Sequence, residues 1–160
     1  MFVTNHVLSG ALIGQALDTH PVGAFVVGIG SHLVLDALPH WGCDAETASG
    51  SERFLRAATR DGLLGLAAIP LLLGLADRRS RLATASAIAG AVLLDMDKPA
   101  GHFFGVDPFP KFVQAVHGWV QNESPDGMRR EITAGVLMAA SDVAINVFRK
   151  RARRSTPARG

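Results

Sequence analysis

Three apolar stretches that contain no Asp, Glu, Lys or Arg constrain the fold of this chain most: residues 22–35, 62–76 and 82–94. None of them alternates apolar and polar residues as a half-buried strand does. Glycine and alanine are abundant, and these small residues let helices approach one another closely. The sequence therefore predicts an all-α fold, an up-and-down bundle of about five to six helices.

Boundary signals place the helices along the chain. Thr4 or Asn5 is a candidate N-cap of the first helix, in which His6, Gly10 and Gly14 follow one another at intervals of four residues. This spacing forms a stripe for close packing against a neighbouring helix. The predicted helices cover about 4–17, 22–38, 81–95, 110–121 and 126–150, with a charged and then apolar stretch at 52–76, a polar loop at 41–51 and irregular structure at 97–110.

The apolar stretches do not decide whether the bundle lies in a membrane or in water. Each is shorter than the roughly 20 apolar residues that usually span a bilayer. The basic turn at 77–81 and the basic end of the chain fall on one side if the helices alternate in direction, as the positive-inside rule requires. This favours embedding in a bacterial-type inner membrane, with the opposite end of the bundle outside the cytoplasm. The alternative is a soluble cytoplasmic bundle with a core of Gly and Ala.

The end of the chain differs in charge from the rest. From Arg149 onward it carries six Lys or Arg and no acidic residue. Such a tail either contacts anionic lipid or nucleic acid, or is a solvated terminus; nucleic acid is expected as a partner only here. We predict one helical domain at 1–150 and a disordered basic tail at 151–160. The single cysteine, Cys43, excludes an internal disulfide and a zinc site built from cysteines.

The segment SHLVLDALPHWG, residues 31–42, places His32, Asp36 and His40 four residues apart in an otherwise apolar sequence. His32 and Asp36 share one helix face, so both can reach one ion, whereas Pro39 ends or bends the helix before His40. Burying imidazoles and a carboxylate costs free energy unless a partner satisfies them. The pair therefore predicts either a metal site or a His–Asp hydrogen bond.

Alternation of the helices predicts that further His and Asp residues lie at the same end of the bundle as His32 and Asp36. Histidine and carboxylate ligands that converge in this way are typical of divalent ions, zinc above all. Their cost inside apolar helices favours a functional role. The candidate metal ligands are His6, His32, Asp36, His40, Asp61, Asp95, Asp97 and His117.

Several of these candidates have a structural alternative. Asp61 heads an apolar helix, where an acid also stabilises the helix dipole. Asp95 and Asp97 are two residues apart, so both face one site only if the helix ends there, as the Lys-Pro sequence after them indicates. His40 is a ligand or a capping side chain. His20, which precedes a proline in a turn, is expected at the surface.

At these residues the sequence resembles the membrane-associated metal-dependent hydrolases of the YdjM type, which are similar to the zinc-dependent phospholipase C and P1 nuclease group of all-α enzymes. Lys98 stands where that family has a histidine after its second Asp, and the family's HRGxTHS element has no clear counterpart. The fragments that carry the resemblance are NHVLSGALIG with His6, GIGSHLVLDALPHWG with His32 and Asp36, and AVLLDMDKP with Asp95 and Asp97.

The resemblance implies hydrolysis of a phosphoester, for example a phospholipid headgroup, at a metal site. In such an enzyme the ion polarises the phosphoryl oxygen and lowers the pKa of its bound water. Asp36, Asp61 or Asp97 would orient or deprotonate that water. The three arginines of segment 53–60 either receive a phosphate or form a solvated helix face.

Two other functions fit the same residues. The first is a non-catalytic helical membrane protein in which a structural metal or a His–Asp network holds the bundle together. The second is a transporter, in which polar groups line a path through the membrane. We expect the acids and histidines at one end only, which argues against a path. The substrate, the number of metal ions and the oligomeric state do not follow from the sequence.

Overall fold

The structure, a computed structural model, describes residues 1–42 and 52–155, with side chains up to residue 152. Six helices of ten or more residues and one short helix lie in these ranges, so the predicted all-α bundle is confirmed. Residues 43–51 of the predicted loop and 156–160 of the predicted tail lie outside them. The helices are α1 Val3–Leu17, α2 Pro21–Ala37, α3 Glu52–Leu75, α4 Arg81–Val92, α5 Asp97–Phe104, α6 Lys111–Val120 and α7 Met128–Ser155.

Helices α1, α2 and α4 form the centre of the bundle and pack through glycines. A Cβ atom added to Gly10 would lie 2.7 Å from the Cα atom of Ile88, and one added to Gly14 would collide with the backbone of Thr84. Gly28 of α2 abuts the carbonyl oxygen of Ala87 in the same way. The predicted small-residue stripe of α1 is therefore confirmed, and its close approach to α4 fixes where the polar residues of these helices meet.

The chain leaves α4 through a break that the sequence predicted one turn later. A 3₁₀ turn, Leu93–Met96, follows α4, and α5 begins at Asp97 within the segment 97–110 that was expected to be irregular. Pro99 is accepted in the first turn of α5, since backbone N–H groups there need no helical partner. Gly105 ends α5 with a φ of 65°, a conformation that glycine adopts readily. The break lets Asp95 and Asp97, which are two residues apart, both come close to His117.

A two-residue pair of parallel strands, which the sequence did not predict, joins distant parts of the chain. β1, His40–Trp41, pairs with β2, Glu123–Ser124. The chain enters β1 because Leu38 is extended, as expected before Pro39. The backbone N–H of Asn122 also donates to the carbonyl oxygen of Asp36, at 2.9 Å. These bonds bring the end of α6 and the start of α7 beside the end of α2.

Two helices present apolar faces outward. The α3 helix and the segment Pro125–Ala152, which includes most of α7, are long and apolar enough to cross a membrane. Only 17% of the most apolar window of each is buried inside the protein. The exposed leucines Leu63, Leu66 and Leu71 of α3 illustrate this face. The core helix of a soluble protein would instead be mostly buried.

The predicted boundary between domain and tail differs from the structure. The α7 helix continues through Ser155, so the first residues of the predicted tail 151–160 are helical. Lysine and arginine are good helix formers, and cations near a helix C-terminus are favoured by its dipole.

Candidate metal centre

Five buried side chains meet at one end of the bundle, and we call them the His–Asp cluster. α1 and α2 supply three of them, the turn after α4 supplies a fourth and α6 the fifth. Each residue is at most 4% exposed. Their meeting at one end is the arrangement that alternation of the helices predicts. The members are His6, His32, Asp36, Asp95 and His117.

The centre of the cluster lies at the Nε2 atom of His117. The Nε2 atom of His32 lies 3.0 Å from it, and the Oδ2 atom of Asp36 lies 3.2 Å from it. His32 Nε2 and Asp36 Oδ2 are 3.1 Å apart, and the side-chain nitrogen of Gln121 is 3.1 Å from His117 Nε2. A single hydrogen on His117 serves only one of these contacts well, whereas a cation among these atoms would be bound by several together.

His6 and Asp95 contribute atoms that have no hydrogen-bond partner. The Nε2 atom of His6 lies 3.2 Å from Asp36 Oδ1 and 3.7 Å from Asp95 Oδ2, but neither contact has the geometry of a hydrogen bond. Both ring nitrogens of His6 and the Oδ2 atom of Asp95 are buried without a partner. Leaving buried polar atoms unpaired is costly, so these atoms fit a site that binds a ligand.

A backbone carbonyl fixes the tautomer of His32. The Nδ1 atom of His32 lies 2.7 Å from the carbonyl oxygen of Ala91. Because a carbonyl only accepts, Nδ1 carries the hydrogen and Nε2 keeps a lone pair that points into the cluster. This outer contact is the one that metal-binding histidines usually make. The ring of His32 also stacks on that of His6, with centroids 4.0 Å apart.

The charges in the cluster are strongly coupled. The hydrogen bond with Asp36, and then the nearby carboxylate of Asp97, raise the pKa of His117 to about 9. Burial lowers the pKa of His6 to about 4. Burial opposes the ionisation of Asp95, but Lys98 and His6 outweigh it and lower the pKa of this carboxyl. The cluster at neutral pH therefore holds anionic Asp95, neutral His6 and a proton on His117.

Two ligand sets emerge from this geometry. The first is His6, His32 and Asp36, and the second is His32, Asp95 and His117; in each set the ligand atoms lie within 4.8 Å of one another. His32 belongs to both. Imidazole nitrogens combined with carboxylate oxygens form the donor set of catalytic zinc sites, which also use three protein ligands. The residues therefore fit a divalent ion.

Asp97 and Lys98 lie at the edge of the cluster. The Oδ2 atom of Asp97 is 3.8 Å from Nδ1 of His117, while its Oδ1 atom is buried and has no hydrogen-bond partner. Lys98 donates to Oδ1 of Asp95 at 2.7 Å, and its side chain is 44% exposed. Because α4 ends before them, Asp95 and Asp97 both reach the cluster, from different sides of His117.

Asp61 contacts a different set of atoms. Its Oδ2 and Oδ1 atoms accept the backbone N–H groups of Val3 and Thr4, at 2.6 and 3.2 Å. Glu131 has a similar role: it accepts the N–H of Phe2 at 3.1 Å and the side-chain amide of Asn5 at 2.6 Å. We call Asp61, Glu131 and Asn5 the anchor cluster. It fixes the start of α1, which accounts for the burial of both acids without a metal ion.

His40 is buried beside the anchor cluster. Its Nδ1 atom lies 2.8 Å from the carbonyl oxygen of Leu38, which only accepts, so its buried and unpartnered Nε2 atom keeps a lone pair. His40 belongs to neither ligand set, and neither does Asp61 or Asp97. As ligands these three residues stay predictions. His20 is exposed, as expected.

A third polar group, which the sequence did not predict, lies at the opposite end of the bundle. Asp142 of α7 is 1% exposed and accepts the side-chain amide of Gln15 at 2.7 Å, while Arg149 donates to the Gln15 carbonyl oxygen. The expectation that buried acids lie at one end only was therefore wrong. Asp142 stands in an apolar run of the sequence, as Asp36 does, and Glu131 stands in the first turn of α7; neither was considered.

No family model matches this chain, and neither a curated protein nor a solved structure matches it.

Proposed function

We propose that this protein is a membrane-bound, metal-dependent hydrolase of phosphoesters, with its active site at the His–Asp cluster. The observation that carries the proposal is the meeting of three imidazoles and two carboxylates, in which His6 Nε2 and Asp95 Oδ2 are buried without partners. Such atoms are costly to bury unpaired, and a bound cation would satisfy them.

The two ligand sets name the residues that would hold the metal, with His32 shared between them. Zinc is the first choice because it accepts imidazole and carboxylate ligands together. When bound, a divalent ion polarises a phosphoryl oxygen and generates a nucleophile from water near neutral pH.

The remaining residues of the site would handle protons and charge. Asp97 is the best candidate for a general base, since its Oδ1 atom is unpartnered and it lies beside His117. Of the other two candidate bases, Asp36 contacts three histidines and Asp61 is engaged by α1. The exposed Lys98 ammonium would attract the anionic oxygens of a phosphoester.

Membrane attachment is the second part of the proposal. The outward apolar faces of α3 and α7 support it, and so does an exposed aromatic surface on α5 and α6 beside the site. Phe103, Phe104, Phe112 and Trp119 are each at least 71% exposed there. Aromatic side chains of this kind collect at membrane–water interfaces. The site would then open toward the lipid headgroups.

The positive-inside rule, applied to the basic turn at 77–81 and the basic end of the chain, favours insertion with the His–Asp end outside the cytoplasm. Single cysteines in a Cys43→Ser background would report it: Asp107→Cys at the site end and Arg79→Cys at the basic turn, both exposed. We expect a membrane-impermeant maleimide to label Asp107→Cys in intact cells and Arg79→Cys only after lysis. The reverse pattern contradicts this orientation, and release of the protein by alkaline carbonate contradicts membrane insertion.

The similarity to hydrolases of the YdjM type supports the same function. Four of the residues that carry it, His6, His32, Asp36 and Asp95, meet in the His–Asp cluster. Lys98, which stands in place of the family's histidine, forms an ion pair with Asp95.

The activity itself is tested with bis-p-nitrophenyl phosphate and p-nitrophenyl phosphate, on purified protein with zinc, with manganese and with chelator. We expect metal-dependent hydrolysis that falls about 100-fold or more in Asp97→Asn and is unchanged in Asp107→Asn, whose residue is exposed between α5 and α6. Absence of hydrolysis with every metal, or equal loss in both variants, contradicts the proposal.

One observation favours a second candidate, a structural role for the cluster in a non-catalytic membrane protein. Lys98 forms an ion pair with Asp95, and the contacts of His117 with Asp36 and His32 link α6 to α2. In that case metal removal or His32→Ala would lower the unfolding temperature, and no phosphoester would be hydrolysed.

A further inference from the structure

A basic groove lies outside the His–Asp cluster, at the start of α3. Arg53, Arg56 and Arg60 follow one another at intervals of three and four residues, which places them on one face of the helix. They line an open groove of about 280 Å³. Its apolar side consists of Trp41, Ala57 and Met128.

The three arginines of the groove carry more positive charge than the acids among the described residues neutralise. Arg56 forms an ion pair with Glu52 at 3.3 Å, in which both side chains are exposed. Arg53 and Arg60 have no ion-pair partner among the residues that the structure describes. None of the groove-lining residues that the structure describes carries a carboxylate.

The apolar side of the groove is fixed in place. Trp41 is 8% exposed, and its ring packs against Phe2 at 5.5 Å and stacks on Phe54 at 6.5 Å between centroids. Its backbone N–H also donates to Glu131. A ligand would therefore meet a fixed indole on one side and exposed guanidinium groups on the other, which combines an apolar contact with an anion site.

We propose that this groove binds the phosphate group of a phosphate-bearing ligand. Guanidinium groups bind phosphate oxygens in pairs and recognise them better than ammonium groups do. Free phosphate compounds and phospholipid headgroups share this chemistry. The exposed apolar face of α3 begins directly after Arg60, at Leu63 and Leu64, so the arginines lie at the level where a bilayer would place its headgroups.

The proposal goes beyond the function proposed for the His–Asp cluster and does not depend on a metal. Neither ligand set contributes a residue to the groove lining that the structure describes. The binding experiment is accordingly done with chelator present, so its result is independent of whether the metal site exists.

The full chain is purified in an uncharged detergent in a Trp119→Phe background, which leaves Trp41 as the only tryptophan. Trp41 fluorescence is then titrated with inorganic phosphate and with short-chain phosphatidic acid, and with chloride at equal ionic strength as the blank. We expect a saturable change that chloride does not produce. Saturation by both ligands, or by either one, supports phosphate binding and identifies its source; no saturation by either overturns it.

Matched variants test whether the arginines are responsible. Arg53→Gln/Arg60→Gln is compared with Arg78→Gln/Arg79→Gln, which removes the same charge from the exposed turn before α4. We expect affinity to fall at least tenfold in the first and to stay within twofold in the second. Equal loss in both overturns the proposal. Arg53→Lys/Arg60→Lys keeps the charge, so its affinity should lie between that of Arg53→Gln/Arg60→Gln and that of Arg78→Gln/Arg79→Gln. Far-ultraviolet circular dichroism confirms that each variant is folded.

Discussion

Two groups of buried acids lie at the same end of this bundle and differ in their partners. Asp61 and Glu131, in the anchor cluster, accept backbone N–H groups from the first residues of α1 and from Trp41. Asp36 and Asp95, in the His–Asp cluster, face imidazoles. Both groups are buried to a similar degree.

The difference lies in what remains unsatisfied. Both oxygens of Asp61 and of Glu131 accept hydrogen bonds, whereas His6 and Asp95 keep buried atoms without one. Burial of an acid therefore does not by itself indicate a metal ligand. The hydrogen-bond partners of the acid distinguish the two cases. Peptide N–H groups satisfy the oxygens of a structural carboxylate, whereas clustered imidazoles leave ligand atoms that can bind an ion.

The most direct test of this difference is to replace one acid in each cluster by its amide. We expect Asp36→Asn to weaken zinc binding by about 100-fold or more, because it removes a central carboxylate. Asp61→Asn should leave zinc binding within about threefold. Competition with a chromophoric chelator measures both. Comparable losses in the two variants would show that Asp61 is also a ligand.

A second substitution disturbs the His–Asp cluster without changing any member of it. A Cβ atom on Gly28 would collide with α4 and lie 3.0 Å from the backbone nitrogen of Ala91, whose carbonyl orients His32. Gly28→Ala should lower the free energy of unfolding by about 3 kcal/mol and weaken zinc binding.

The matched control is Gly30→Ala, two residues away on the same helix. Gly30 has nothing within 4 Å of the added Cβ, so this variant should be up to about 1 kcal/mol more stable. Denaturant titration followed by circular dichroism measures both. If the two variants have equal stability, the close packing of α2 on α4 at Gly28 is wrong, and it cannot be what positions His32.

The anchor cluster is expected to affect stability alone. Glu131→Ala leaves the N–H groups of Phe2 and Trp41 unpaired, so the free energy of unfolding should fall by about 2 kcal/mol. Zinc affinity at a temperature where the variant is folded should not change. Asp126→Ala, at an exposed acid just before α7, serves as the control. A loss of zinc binding in Glu131→Ala would show that the anchor cluster is part of the metal site.

The last effect expected is a pH dependence of metal binding, which needs no substitution. The pKa of His117 is raised to about 9, so below that pH a metal must displace its proton, and affinity should rise with pH. The pKa of His6 is lowered to about 4, so His6 adds nothing to the slope between pH 6 and 9. Zinc affinity measured over this range should increase about tenfold per pH unit. A flat profile would exclude His117 as a ligand.

Much of the His–Asp cluster could be predicted from the sequence because its residues are costly in an apolar context. His32 and Asp36 share a face through helical spacing alone, and alternation of short-connected helices brings His6 and Asp95 to the same end. The roles of Asp61 and Glu131 could not be predicted, since backbone N–H groups have no sequence signal. The strand pair β1–β2 was also missed, because two residues carry no periodicity.

Metal content tests the central claim most directly. The protein is purified without added metal, loaded with zinc, desalted and analysed for zinc, manganese and iron, beside His32→Ala and the surface control His20→Ala. We predict at least about one ion per chain in the unchanged protein and in His20→Ala, and almost none in His32→Ala, which removes the ligand that both sets share. Equal metal content in all three proteins, or no metal in any, would contradict a metal site at the His–Asp cluster.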